Sequence, residues 1–240
     1  MSKKIREVSF DELRAIAKKV PKGKWLEIIA HHFSSPSAAA YRGLPTWNGV
    51  YNNHISRGFS DIGYHVGVDK HGKIWLLRHT DASGYRGALM AFGAHCVGHN
   101  ARGLGVVLAG DFDHEDPKAN GWDMLVNVVA MLAEVFGIPV SKIYPHSAFA
   151  AKSCPGKKFS MAEFRSDVEK AQSGVVEDVA PAVPDKAVVL NGEYATTDII
   201  FQEGRAYVPI ADFCDVVGWG VKFEKNANGL RWYLKPPGGN

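Results

Sequence analysis

The apolar positions along the chain recur with different periods in different stretches, and those periods predict its elements. SFDELRAIAKKV (residues 9–20) runs at helical period and opens with Ser9 and Glu12 in capping-box spacing. KWLEIIAHH (24–32) is a short apolar, β-branched run, the signature of a buried strand. After a polar stretch, GYHVGVD and KIWLLR (63–69 and 73–78) are joined by KHG and read as a hairpin with Gly72 at its turn. LGVVLAGDF (104–112) is a second buried strand. WDMLVNVVAMLAEVFG (122–137) is an amphipathic helix closing on Gly137, and SMAEFRSDVEKAQ (160–172) is a last helix with Ser160 and Glu163 as its capping pair. Strands interspersed with helices, one pair of them a hairpin, predict an α/β (α+β) fold with a mixed central sheet flanked by helices.

The pattern breaks at SGVVEDVAPAVPDK (173–186), where two prolines among small and acidic residues interrupt any periodicity. This is a linker signature. It separates a first domain, residues 1–172, from a second, residues 187–240, in which AVVLNGEYA, TDIIFQEGRAYVPI and GVKFEKNANGLRWYLK alternate short strands with turn dipeptides around one short helical segment, ADFCDVVGW. So short a segment makes a small, β-rich module.

Composition adds bounds. With 46% hydrophobic and 22% charged residues the chain can bury a core. A net charge of +3 gives no argument for nucleic acid; residues 1–170 hold 22 Lys+Arg against 16 Asp+Glu, and residues 171–240 hold 6 against 9, so the front part would suit a polyanionic surface only mildly. The basic N-terminus has no apolar run behind it, and no stretch reaches the roughly 18 apolar residues of a membrane span. The expectation is therefore a soluble protein made in the cytoplasm, with no membrane insertion. Cys96, Cys154 and Cys214 are too scattered for a disulfide framework; in a reducing compartment such a cysteine is a ligand, a nucleophile or a small core residue.

All ten histidines lie at or before position 146, so the chemistry belongs to the first domain. His31 and His32 end a predicted strand, where side chains alternate faces and only one of the pair can face a given site. HSAFAAKSCPG (146–156) carries His146, Lys152 and Cys154. Imidazole and thiolate together suit zinc, and two loop ligands with one strand ligand make three, which leaves the open fourth position of a catalytic site. The alternative is that Cys154 is a buried apolar residue before a Pro-Gly turn.

IIAHHF, GFSDIGYHVGVDKHGKIW, GAHCVGHNARGLGVVLAGDF and HSAFAAKSCPG occur in an order and spacing that resemble the zinc N-acetylmuramoyl-L-alanine amidases of the phage lysozyme and peptidoglycan-recognition-protein type, over about residues 24–160. The resemblance implies one zinc ion held by His31, His146 and Cys154, with Tyr64 and Lys152 as catalytic residues. It places His95 and Asn100 along a substrate groove and His32 beside the ligands; Trp47 is a further candidate for flanking the groove, or a core aromatic on a helix. It also implies hydrolysis of the amide between N-acetylmuramic acid and L-alanine in peptidoglycan, a bond whose cleavage needs a strong nucleophile and a stabilised oxyanion. Recycling amidases of the same superfamily carry a glutamate in the strand where this chain has Val107, and an aspartate where it has Cys154. Without that carboxylate the proton falls to Tyr64, Lys152 or the water held by the metal. Cys96 is expected to be a small packed residue, and His54, His71, His79, His99 and His114 to face solvent.

Residues 187–240 resemble, more loosely, the N-terminal stalk module of copper amine oxidases, carried by NG and GRAYVPI, which implies wall attachment or spacing; with no histidine there, copper chemistry is not expected. The leading expectation is a phage or prophage endolysin acting on the wall after release from the cytoplasm. The alternatives are an amidase acting on soluble muropeptides, a non-catalytic peptidoglycan-binding protein, and a structural zinc protein.

Overall fold

A computed structural model describes residues 5–173 in full and, beyond them, the backbones of short strands between 189 and 235. Two compact units separate at Asp178 and Val179. The linker predicted over 173–186 lies, apart from Ser173, outside the described residues, as does the short helical segment 211–219.

In the first unit a six-stranded sheet is built from β1 (Arg6–Val8), β2 (Glu27–His32), β3 (Val66–Val68), β4 (Ile74–Leu76), β7 (Gly103–Leu108) and β8 (Ile143–Pro145), with a small hairpin of β5 (Thr80–Asp81) and β6 (Gly84–Tyr85) beside it. The order across the sheet is β1-β4-β3-β7-β2-β8. β3, β7, β2 and β8 are paired parallel to one another, whereas β4 runs against them and pairs antiparallel with both β3 and the edge strand β1. The mixed sheet with flanking helices is the predicted fold. β2 and β7 are buried at every residue, as central parallel strands covered on both faces must be.

The two faces have different cores. Leu104, Val106 and Leu108 of β7 and Ile28 of β2 point into a cluster formed with α1 (Phe10–Ala17), α3 (Trp122–Phe136) and α4 (Met161–Ser173). On the opposite face Val107 joins Trp47, Tyr41, Trp75 and Leu77, under α2 (Leu44–Ser56). This second face is hollowed by glycine. A Cβ on Gly67 would come within 2.3 Å of the Trp47 ring, and one on Gly105 within 2.5 Å of the His95 ring, so bare strand backbone receives both aromatic groups.

The predicted caps form. Ser9 Oγ accepts from the Glu12 amide at 3.1 Å and Ser160 Oγ from the Glu163 amide at 3.3 Å, while Gly137 ends α3 in the left-handed region at φ 66. Helix α2 occupies part of what the sequence pattern gave as a polar stretch. In the second unit three antiparallel pairs are described, Val189–Leu190 with Glu193–Tyr194, Ile200–Gln202 with Arg205–Tyr207, and Gly220–Asn226 with Gly229–Lys235. Among the described residues no helix is long and apolar enough to cross a membrane.

Candidate metal centre and active site

Strand adjacency assembles the centre. β2 and β8 are parallel neighbours with Ala30 paired to Pro145, so His31 and His146 are the next residues at the carboxyl ends of adjacent strands, where open α/β sheets place their sites. The chain then loops, and the Ser147 amide donates to the Cys154 carbonyl at 2.8 Å, returning the thiol beside the first histidine. Asp113 anchors this loop on both sides of Cys154, accepting from Ser153 Oγ at 2.6 Å and the Lys157 amide at 2.9 Å. One ligand atom from each of His31, His146 and Cys154 lies within 4.8 Å of the others, and His31 Nδ1 is 3.6 Å from Cys154 Sγ.

Two imidazoles and a thiol at that separation fit a zinc ion with three protein ligands. The electrostatics fit as well. Burial pushes the Cys154 thiol up to about 12, and burial together with the neighbouring His95 and His146 holds His31 well below its usual range. The site thus disfavours charge of either sign on its own groups, and a divalent cation would convert the thiol to the thiolate it needs.

His146 and Cys154 open onto a cavity of about 600 Å³ that is also lined by Tyr64, Lys152, His32, His54 and Arg57, with no Asp or Glu among its lining residues. The Tyr64 ring lies 5.0 Å from that of His31. Burial, and secondarily Cys154, raises its phenol above the ordinary range, so Tyr64 keeps its proton at neutral pH and can donate. His146 is depressed first by burial and then by the charge of Lys152, which places that ammonium's field on the imidazole.

The remaining sequence candidates divide. His32 lines the cavity; its Nδ1 accepts from the Phe112 amide at 3.1 Å and its ring stacks on Phe112, so it packs the opposite strand face from His31. Trp47 is not among the residues that line the cavity. It is fully buried, its Nε1 donates to Tyr41 Oη at 2.7 Å, and it packs against Phe33 and Trp75. His95 and Asn100 likewise lie outside the cavity lining: the buried His95 sits behind His31, and Asn100 Oδ1 accepts from the amides of His95 and Cys96. Val107 is buried opposite His31 across β2 and β7, and Cys96 is buried as expected.

Of the histidines expected at the surface, His71 and His114 are exposed, but His54 and His79 are buried. His99 is half-buried, bonded to Glu27 at 2.6 Å and stacked at 3.7 Å on Phe149 of the ligand loop. His54 and Arg57 are the cavity residues that sequence reasoning missed. The available signal was that His54 lies seven residues after Trp47, on the same side of a helix.

Burial, aided by Arg57 and Arg78, lowers His54 to about 4, and burial lowers His65 well below its usual range. The unfolded chain therefore binds protons near the ordinary value of 6.5 while the folded chain does not. The stability these neutral rings contribute is complete above that value and declines as the pH falls through it towards 4. At pH 5 the expected loss from His54 alone is about 2 kcal/mol, with His65 adding in the same direction. Melting curves of metal-free protein at pH 7 and pH 5 check this, and an unchanged or higher melting temperature at pH 5 contradicts it.

A family model described as N-acetylmuramoyl-L-alanine amidase matches residues 21–157. Peptidoglycan-recognition protein LB of Drosophila melanogaster is 30% identical over 175 residues, covering 65% of this chain and 67% of that protein. The endolysin of Enterobacteria phage K11 is 30% identical over 105 residues, covering 42% of this chain and 64% of the endolysin. The structure of the amidase LysC from Clostridium intestinale URNW superposes with a TM-score of 0.48 at 26% identity, over 61% of this chain and 86% of that one.

Proposed function

Because the chain belongs to the N-acetylmuramoyl-L-alanine amidase family, we propose that it is a zinc-dependent enzyme cleaving the amide between the lactyl group of N-acetylmuramic acid and L-alanine of the peptidoglycan stem peptide, and that it serves as a phage or prophage endolysin. The observation that carries this reading is the convergence of His31, His146 and Cys154 within 4.8 Å, at a cavity that Tyr64 and Lys152 also line.

Zinc held by these three residues would supply a Lewis acid for the amide carbonyl and lower the pKa of water. The chain's own groups supply the rest. Tyr64 holds a proton on a buried phenol, and Lys152 presents an ammonium beside His146; both are donors for the charge that grows on the carbonyl oxygen as the carbon becomes tetrahedral. The amine that leaves as the C–N bond breaks requires a proton. With no carboxylate lining the cavity, the candidates to supply it are Tyr64, Lys152 and the attacking water. Lys152→Met and Tyr64→Phe are each expected to lower kcat by about 10²–10⁴-fold with an unchanged melting temperature, and a kcat within twofold of the parent for both would remove them from the mechanism.

A non-catalytic binder has no need for the complete ligand trio, which favours the enzyme. The direct test digests whole sacculi and, separately, isolated muropeptides, with mass spectrometry of the products. Stem peptides beginning with L-alanine from sacculi support the proposal; release only from soluble muropeptides moves the reading to a recycling enzyme, and no release refutes it. Wall attachment by residues 187–240 is a further part of the proposal, supported by the sequence resemblance alone.

A further inference from the structure

Behind the ligand trio, His95 joins the backbone of β7 to His31. Its Nε2 lies 3.1 Å from the Gly103 carbonyl oxygen and its Nδ1 lies 3.0 Å from His31 Nε2. A carbonyl only accepts, so His95 carries its hydrogen on Nε2, and in the neutral ring Nδ1 is then an acceptor. His31 Nε2 must therefore donate, which leaves His31 Nδ1 without hydrogen on the side that faces Cys154 Sγ at 3.6 Å. We propose that His95 is a positioning residue, holding His31 in the one tautomer whose bare Nδ1 can bind a metal, with the Gly103 carbonyl setting the direction of the chain of hydrogen bonds.

The ring has a purpose-shaped slot. A Cβ on Gly93 or on Gly105 would come within 2.5 Å of the His95 ring, so both must be glycine for the imidazole to lie between them. The loop that aims it is closed by Asn100, whose side-chain oxygen accepts from the His95 amide at 2.8 Å and whose carbonyl accepts from the Gly93 amide at 2.8 Å. Metal-bound histidines ordinarily donate their second ring hydrogen to a carboxylate, a carbonyl or water. Here a second imidazole takes that place and relays a carbonyl.

The inference rests on the metal reading of the trio, and its test separates the two. In the full chain, His95→Phe keeps a flat ring in the slot but removes the acceptor, whereas His95→Asn can return an oxygen near the Nδ1 position. Nitrogen NMR of the metal-free parent should show His31 protonated at Nε2. His95→Phe should lose that signature and bind zinc about 10–100-fold more weakly in chelator competition, with His95→Asn recovering most of the affinity. The inference is overturned if the parent's His31 is protonated at Nδ1, if His95→Phe binds zinc like the parent, which would mean that ring packing alone matters, or if His95→Asn is as weak as His95→Phe, which would mean that restoring an acceptor does not restore the site. Should His95→Phe fail to fold, the parent's NMR signature decides by itself. A parent that shows the Nε2 tautomer yet binds no zinc refutes the metal reading and leaves the tautomer assignment standing.

Discussion

Cys154→Ala is expected to lower hydrolysis of peptidoglycan by about a thousandfold or more, equivalent to about 4 kcal/mol of transition-state stabilisation, while the melting temperature of the metal-free protein changes little. The reason for the first half is that the thiol belongs to the trio of candidate ligands found among the described residues, and removing it leaves two imidazoles to hold a cation. The reason for the second is that the loop is anchored independently of the sulfur, by Asp113 on either side and by the Ser147 amide. Chelator should act like the substitution, silencing the enzyme reversibly with most of its fold intact. A structural zinc protein would instead unfold on chelation. Turnover measured before and after chelation and zinc return, alongside circular dichroism, decides between them, and full hydrolysis by Cys154→Ala would end the zinc mechanism.

Trp47→Ala should have its large effect on stability and little on substrate affinity. A groove aromatic, when truncated, raises KM and leaves the melt alone. The observed Trp47 is fully buried between the Gly67 backbone, Phe33 and Trp75, and its loss opens a cavity and strips a hydrogen bond from Tyr41. That oxygen in turn donates to the buried Asp69 carboxylate at 2.8 Å, which also accepts from Trp75 Nε1 at 3.0 Å, so the damage reaches the turn between β3 and β4. The expected cost is about 3–5 kcal/mol, a fall in melting temperature on the order of 10 °C. Denaturant unfolding and KM measured on the folded fraction check it; an unchanged melt with a raised KM would return Trp47 to the groove.

The elements legible in the sequence were those that specify themselves. Helices α1, α3 and α4 carry a buried stripe and a local terminus signal, Ser9, Gly137 or Ser160, and β2 and β7 are apolar because both their faces are covered. Helix α2 was obscured because Asn48, Gly49, Asn52 and Asn53 interrupt its period; its signal was Pro45 in the first turn. β1 and β8, three residues each, owe their existence to pairing with β4 and β2, which no local pattern encodes.

The site follows the same division. Imidazole and thiolate as zinc donors could be read from residue types, but their meeting depends on the parallel pairing of β2 with β8, more than a hundred residues apart in the chain. Family resemblance supplied that information. It did not reveal that His95 lies behind His31, because a groove residue and a supporting residue leave the same letters in GAHCVGHN; only the glycines facing its ring distinguish them.

The placement of the three candidate ligands divides them between two kinds of segment. His31 belongs to β2, paired on both sides in the interior of the sheet, whose amides are expected to be among the slowest to exchange with solvent. His146 and Cys154 belong to a connection outside the sheet that is held by a few hydrogen bonds, and such segments open more readily than central strands. On the proposed reading, a metal held by the three would tie that connection to an interior strand, and its release is expected to be paced by excursions of residues 146–156, not by opening of the sheet.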